Sequence, residues 1–186
     1  MKDKETSRAE VLMCGIGGMG VLVAGQLLAW AGLKRYRHIS YVPSYEAARR
    51  GGLCEVTVIL SDGDISSPIL DQAQTVVVFD GAQLKAFEPR VRPGGLMLVE
   101  SAGLVDKLER DDFRLLLVSG LEIAMGMGES LANNMILLGA YVALSDAISP
   151  QLIEEELVSR YGEKEALLKR NRDAFACGLE LGRKLS

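Results

Sequence analysis

The chain has 186 residues, of which 48% are hydrophobic, and 25 acidic against 21 basic residues give a formal net charge of −4. This balance argues against a general affinity for nucleic acid, and no apolar run is long enough for a membrane span. Three cysteines without Cys-x-x-Cys spacing and a single histidine give no metal or iron–sulfur signature and no disulfide framework. The charged N-terminal segment lacks the apolar core of a signal peptide, so we expect one cytoplasmic domain, 1–186, flexible over 1–8.

The first part of the chain alternates between predicted strands and a helix. The apolar run Val11–Cys14 predicts a strand, and Met19–Leu33, with apolar residues at helical spacing, predicts the first helix. Ile39–Val42 predicts a second strand that ends at Pro43, because proline cannot donate to a strand ladder. Leu53–Leu60 predicts a third strand. These segments indicate a sheet with a helix packed against it.

The rest of the chain adds three strands and then helices. The strands are predicted at Thr75–Phe79, Leu96–Val99 and Leu115–Val118. Turn residues at 61–64 predict a hairpin or sharp turn, which favours a mixed sheet. The last third predicts helices at Leu131–Leu144, Gln151–Tyr161 and Glu163–Leu185. We therefore expect an α/β fold: a three-layer α/β/α domain with a mixed, mostly parallel sheet and a helical C-terminal third.

A glycine-rich turn joins the first strand to the first helix; its glycines are Gly15, Gly17, Gly18 and Gly20. They fit the Gly-x-Gly-x-x-Gly spacing of dinucleotide folds, but no Asp or Glu between Val11 and Tyr45 is available to hold a ribose. This counts against NAD. NADP and FAD stay open as ligands. The basic residues within 34–37 suit the extra phosphate of NADP, although they precede the second strand and do not lie at its end. Otherwise the glycines allow close packing of helix on strand, or the helix start binds an anion.

A second candidate site lies in the loop before the third strand. Arg49 and Arg50 precede Gly51 and Gly52, so forked cationic donors adjoin residues that permit positive φ and the close approach of a ligand. The alternative is a solvated turn with a basic tip.

Several single residues have a plain structural interpretation. Asn133 and Asn134 open an apolar helix and are most simply an N-terminal cap. Asp80 follows a buried strand, where a ligand group would lie, but a helix cap is the simpler expectation. Gly120–Gly128 suits an adaptable contact surface or an ordinary mobile loop. No catalytic grouping forms around His38.

In their order along the chain these segments resemble the gamma subunit of 2-oxoacid:ferredoxin oxidoreductases, from about Arg8 to Gly182. The resemblance rests on the following segments: Gly15–Gly20, Tyr45 with Arg50-Gly51-Gly52, Ser61 with Ile65–Pro68, Asn133-Asn134-Met135 with Leu138-Gly139-Ala140, and Asn171 with Ala174-Phe175 and Gly178. Met19 stands where the family commonly has glutamine, and the usual Tyr-Gly-Pro-Glu-x-Arg-Gly-Gly lacks its glycine and proline here. The related indolepyruvate branch stays open.

The resemblance implies a complex that oxidatively decarboxylates a 2-oxoacid to an acyl-CoA and reduces ferredoxin. Thiamine diphosphate is then held by alpha and beta subunits, and iron–sulfur clusters by beta or delta. For this chain it implies a structural role without catalytic residues or metal ligands, and a contribution to coenzyme A binding. The residues expected to contribute are Gly15, Gly17, Gly18, Gly20, Arg50, Gly51, Gly52 and Asn133. The isolated chain is expected to form a homo-oligomer. The alternative function is a free-standing NADP- or flavin-binding oxidoreductase domain.

Overall fold

A computed structural model describes residues 7–45, 51–105 and 107–186, and its centre is a six-stranded sheet. The strands are β1 Arg8–Ile16, β2 His38–Tyr45, β3 Leu53–Ser61, β4 Ala73–Val78, β5 Val91–Glu100 and β6 Arg114–Val118. Each strand contains the segment predicted for it, except that Phe79 lies just after β4. The strands extend beyond the predicted segments, because apolar patterns mark the middle of a strand better than its limits.

The strand order across the sheet is β2-β3-β1-β4-β5-β6. The neighbours β1, β4, β5 and β6 run parallel, whereas β3 pairs antiparallel with both β1 and β2. The expected mixed, mostly parallel sheet is confirmed. The hairpin, however, joins β2 to β3 and does not lie at 61–64. There the amide of Gly63 donates to Ser61 Oγ at 3.1 Å, and the chain then crosses to β4 on the far side of β1.

The prediction that Pro43 ends the second strand is wrong, since β2 continues to Tyr45. Pro43 lies opposite Val56 of β3, and β2 is the edge strand of the sheet. An edge strand has one side without a ladder, so a residue that lacks an N–H is tolerated there.

The helices are α1 Val21–Gly32, α2 Leu84–Phe87, α3 Gly120–Gly126, α4 Asn133–Ser145, α5 Pro150–Tyr161 and α6 Glu165–Leu185. Most of the segment 120–128 is therefore helical, and its interpretation as a mobile loop is wrong. The helical C-terminal third is confirmed. No helix in the described ranges is long and apolar enough to cross a bilayer.

The two layers that cover the sheet are unequal. One contains α1, α4, α5 and α6, and α4 is buried on all sides over its first ten residues, 133–142, as expected of a helix that is apolar all round. The other consists of the single-turn helix α2 with its flanking 3₁₀ turns and loops, and it covers side chains such as Leu12 and Met97. The three-layer prediction holds, with a thick helical layer and a thin one.

Candidate functional site

The carboxyl ends of the parallel strands β1, β4, β5 and β6 meet at one edge of the sheet, where open α/β folds bind ligands. The glycine-rich turn 17–20 follows β1 at this edge, and the start of α4 packs against it. Two cavities open here on the two sides of Gly18, which lines both of them. We call the cavity beside the start of α1 the glycine cleft and the cavity beside Asp80 and Glu100 the acid cavity.

The structure brings most of the predicted glycines together. The amide of Gly17 donates to the carbonyl of Gly52 at 2.9 Å, so the turn after β1 is tied to the start of β3. Gly18 and Gly20 have φ values of +102° and +75°, and Gly51 has +79°, a region that favours glycine. Gly15 lies inside β1, where an added Cβ would be 2.9 Å from Phe79 Cβ, so its role is close packing.

The glycine cleft has a volume of about 400 Å³ and is lined by the turn and the first residues of α1. Tyr45 of β2, Cys54 of β3 and Gly52, which directly precedes β3, also line the cleft. Helix α1 starts after Gly20 without a side-chain cap and without an acidic residue in its first turn. The first N–H groups of a helix have no partner within the helix. The cleft is therefore suited to an anion such as a phosphate group.

Arg49 and Arg50, the predicted cations of the second candidate site, lie outside the described residues. Their neighbours Gly51 and Gly52 are described, and both lie beside the glycine turn. Gly51 and Gly52, which lead into β3, therefore lie next to the glycine cleft.

The prediction that the two asparagines cap α4 is wrong. The N-cap position is Ala132, and no side chain makes a capping hydrogen bond there. Asn134 instead donates from Nδ2 to the carbonyl of Gly20 at 3.4 Å and so contacts the glycine turn. Asn133 is 9% exposed and lines the acid cavity, away from the glycine cleft. Its Oδ1 is buried and has no hydrogen-bond partner in the described chain.

The acid cavity has a volume of about 320 Å³, and its polar lining includes Asp80 and Glu100. Asp80 lies two residues after the end of β4, and Glu100 is the last residue of β5. Asp80 accepts a hydrogen bond from the amide of Ala82 at 3.2 Å, which confirms its expected role as a cap. Glu100 is only 2% exposed; its two oxygens accept from the amides of Ala102 and Leu121, each at 2.9 Å.

Reasoning from the sequence alone misses Glu100. Its signal is an acidic residue placed directly after the apolar run of a predicted strand, the position at which α/β sheets present ligand groups. The predicted strand ends at Val99, one residue too early, so the pattern assigns the carboxylate to the following turn.

The ionisable residues elsewhere form no reactive cluster in the described ranges, and no group of three His, Cys, Asp or Glu residues is placed to hold a metal. Burial raises the pKa of the Cys14 thiol well above its usual value, with a further contribution from the negative charge of Glu55. His38 lies at the amino end of β2, 3.6 Å from Asp64.

The chain is similar to known proteins along almost its whole length. The family model described as "Pyruvate ferredoxin/flavodoxin oxidoreductase" matches residues 10–181. The ketoisovalerate oxidoreductase subunit VorA of Methanothermobacter marburgensis is 30% identical over 183 residues, which are 98% of this chain but 38% of VorA. The chain thus spans less than half the length of this relative. The 2-oxoglutarate synthase subunit KorC of Archaeoglobus fulgidus is 28% identical, over 95% of this chain and 89% of KorC.

Among solved structures, the gamma subunit of the keto/oxoacid ferredoxin oxidoreductase from Geobacter sulfurreducens superposes with a TM-score of 0.79 at 27% identity. The superposition covers 94% of this chain and 98% of that subunit. The same mixed sheet and helical layer are therefore present in both. This chain belongs to the pyruvate ferredoxin/flavodoxin oxidoreductase family.

Proposed function

We propose that this chain is a gamma-type, non-catalytic unit of a 2-oxoacid:ferredoxin oxidoreductase. The observation that carries the proposal is the similarity to the Geobacter sulfurreducens gamma subunit over nearly the whole length of both chains. The similarity to VorA and KorC along almost all of this chain supports the same assignment.

In this proposal the partners are the alpha, beta and delta subunits of the same enzyme, which reaches ferredoxin as a complex. The complex oxidatively decarboxylates a 2-oxoacid, transfers the acyl group to coenzyme A and passes the electrons to ferredoxin. Thiamine diphosphate and the iron–sulfur clusters are bound by the partners. The chain works in the cytoplasm, and when isolated it forms a homo-oligomer through surfaces that the partners otherwise cover.

The glycine cleft is the proposed point of contact with coenzyme A. An uncapped helix start, a first turn without acidic residues and backbone at positive φ favour a phosphate there. Arg50, which precedes Gly51 in the sequence, would add a cation suited to the pyrophosphate. Gly17, Gly18, Gly20 and Gly52 line the cleft, and Gly15 supports it from within β1 by its close packing against Phe79.

Purification of the tagged chain from its native cells tests the assignment. We expect a thiamine-binding subunit and an iron–sulfur subunit in stoichiometric amounts, with 2-oxoacid- and coenzyme A-dependent reduction of ferredoxin. A lone homodimer without such partners, or oxidation of a substrate by this chain alone, would contradict the proposal.

Calorimetry with coenzyme A tests the cleft separately. Val23 lies in the first turn of α1 and lines the cleft. A Val23→Glu substitution places a negative charge where the phosphate would bind, whereas Val23→Gln changes the shape in the same way without the charge. We expect Val23→Glu to weaken binding much more than Val23→Gln. Equal affinities, or no heat with the unaltered chain, would leave the cleft without this role.

VorA is named as a subunit of a ketoisovalerate oxidoreductase and KorC as a subunit of a 2-oxoglutarate synthase. These names do not favour a free-standing NADP or flavin enzyme. A visible spectrum and an NADPH titration of the isolated chain separate the two functions. Saturable binding at micromolar nucleotide would favour the alternative. Sedimentation of the same sample measures the proposed self-association.

A further inference from the structure

The acid cavity contains hydrogen-bond acceptors whose capacity the described residues do not fill. Asn133 Oδ1 is buried without a donor in the described chain. Each oxygen of Glu100 accepts one backbone hydrogen bond, although a carboxylate oxygen has room for two. Asp80 adds a second carboxylate to the same lining, and no basic side chain of the described residues lines this cavity. The cavity therefore carries two formal negative charges and an unused amide oxygen.

An unpartnered acceptor in a folded interior is unfavourable and rare, so it points to a donor other than the residues that the structure describes. The donor has to satisfy an amide oxygen and lie near two carboxylates at once. An ammonium or guanidinium group does this, because it carries several N–H donors and a positive charge.

Apart from Ser130, whose hydroxyl makes no hydrogen bond to Asn133 Oδ1, the rest of the cavity lining is glycine or apolar, and its rim is exposed. Met19 and Leu121 line the interior, while Leu131 lines the cavity and is 71% exposed. Met125, one helical turn after Leu121 on α3, is 65% exposed. Val105, two residues after the cavity residue Gly103, is 79% exposed. Apolar side chains surrounding a polar pocket are typical of a protein interface with an anchor residue at its centre.

We propose that the acid cavity is a socket for a lysine or arginine side chain of a partner subunit. The charged head faces Glu100 and Asp80, and the Asn133 side chain turns its Oδ1, which is inaccessible in the isolated chain, toward the head as it enters. The aliphatic stem packs against Met19 and Leu121, and the partner's surface covers Leu131. The inference rests on the proposed function, because that function supplies the partner. The charge of the cavity is what selects a cationic side chain.

A titration of the isolated, isotope-labelled chain followed by NMR tests the socket without any partner. The probe is the n-butylguanidinium ion, which carries the proposed head on an apolar stem; butyrate and n-butanol have the same stem with a negative charge or none. We expect n-butylguanidinium to shift the Asn133 side-chain amide and the Leu121 backbone amide, and the other two probes to leave them unchanged. No response, or the same response to all three, would overturn the proposal.

Two variants give the energetic test. Asp80→Asn removes a charge and keeps an acceptor for the cap, and Asn133→Leu removes the unpartnered oxygen at nearly constant volume. Each substitution should lower the affinity for n-butylguanidinium by about tenfold, which corresponds to the loss of one charge-assisted contact. Asp111→Asn is the matched control, since Asp111 is exposed and precedes β6 at the opposite edge of the sheet. It should leave the affinity for the probe unchanged.

Thermal unfolding of the isolated Asn133→Leu chain provides a separate readout. If the oxygen lacks a donor, its removal should raise Tm by about 2–4 °C. A lower Tm would mean that the amide is turned to donate to Glu100, and this result would overturn the proposal.

Assembly with partners separates the two proposals. If the unaltered chain recovers its partners and Asp80→Asn and Asn133→Leu recover them as efficiently, the socket is wrong and the proposed function stands. If no partner is recovered with the unaltered chain, the proposed function fails, while the titration still measures the cavity by itself.

Discussion

The side-chain amide of Asn134 donates a hydrogen bond at 3.4 Å to the carbonyl oxygen of Gly20, 114 residues earlier in the chain. The contact joins the first turn of α4 to the residue that starts α1. It holds the glycine turn against the helical layer. The position of the rim of the glycine cleft therefore depends on α4.

Gly20→Ala tests how closely this contact determines the turn. The left-handed backbone at Gly20 disfavours alanine, and an added Cβ would overlap the Asn134 amide and lie 2.9 Å from its Cγ. We expect a loss of about 2–3 kcal/mol in the free energy of unfolding, measured in urea. In the double variant with Asn134→Ala, the stability lost through the overlap should be recovered, and the stability lost through the strained backbone at residue 20 should remain lost. Strictly additive losses would show that the overlap is absent.

Helix α1 lies close to β3 at Gly25, where an added Cβ would be 2.6 Å from Val56 Cγ1. Gly25→Ala should therefore destabilise the chain by about 1–3 kcal/mol despite the better helix propensity of alanine. Gly126→Ala is the control, because Gly126 is also helical and its Cβ would meet no atom within 4 Å. That substitution should stabilise the chain by about 0.5–1 kcal/mol. Chemical denaturation curves with the same sign for both would contradict the close approach of α1 to β3.

The three thiols should react in a defined order with a thiol reagent. Cys177 is partly exposed on α6 and should be labelled first. Burial raises the pKa of Cys54 and raises that of Cys14 further, and only the thiolate reacts, so both should be slow at mildly alkaline pH. Cys14 should be labelled only when the chain unfolds. Mass spectrometry of timed samples checks the order, with Cys177→Ser as the control that removes the fast phase.

Lys34 joins the end of α1 to α5, with its Nζ 2.8 Å from a carboxylate oxygen of Glu155 and 2.8 Å from one of Glu156. The hydrogen bonds to Glu155 and then to Glu156 raise the pKa of Lys34 in the folded chain. A raised pKa means that the folded state favours the protonated amine. The stabilisation is therefore complete at neutral pH and is lost as the pH rises through the pKa of the folded state.

Lys34→Met should consequently be less stable than the unaltered chain at neutral pH, and the difference should shrink at strongly alkaline pH. Lys169→Met is the matched control, because Lys169 pairs with Asp173 on the exposed face of a single helix, α6. Its effect should be smaller, since Glu156 is buried and loses a partner when Lys34 is replaced. The midpoints of urea unfolding across the pH range give the stability loss of each variant. A stability loss for Lys34→Met that grows with pH would be incompatible with the raised pKa of Lys34.

Much of the fold was predictable because the signals are local. Apolar runs identified every strand of the sheet, and the all-apolar segment after Asn133 identified a buried helix. The positive φ values at Gly18 and Gly20 agree with the interpretation of this turn as one that needs glycine. Strand pairing decided two points differently from the sequence pattern. Pro43 lies inside a strand because that strand is at an edge, and 61–64 forms the sharp turn of the two predicted alternatives, while the hairpin joins β2 to β3.

The sequence by itself determined the six strands, the four longer helices, the glycine turn and the resemblance that led to the family. Only the tertiary structure decided that Asn134 contacts the glycine turn while Asn133 lines the acid cavity, although the two asparagines are adjacent in the chain. The reason is geometric. Successive residues of a helix point about 100° apart, so neighbours reach different cavities, and which cavity each one meets depends on strands folded dozens of residues away.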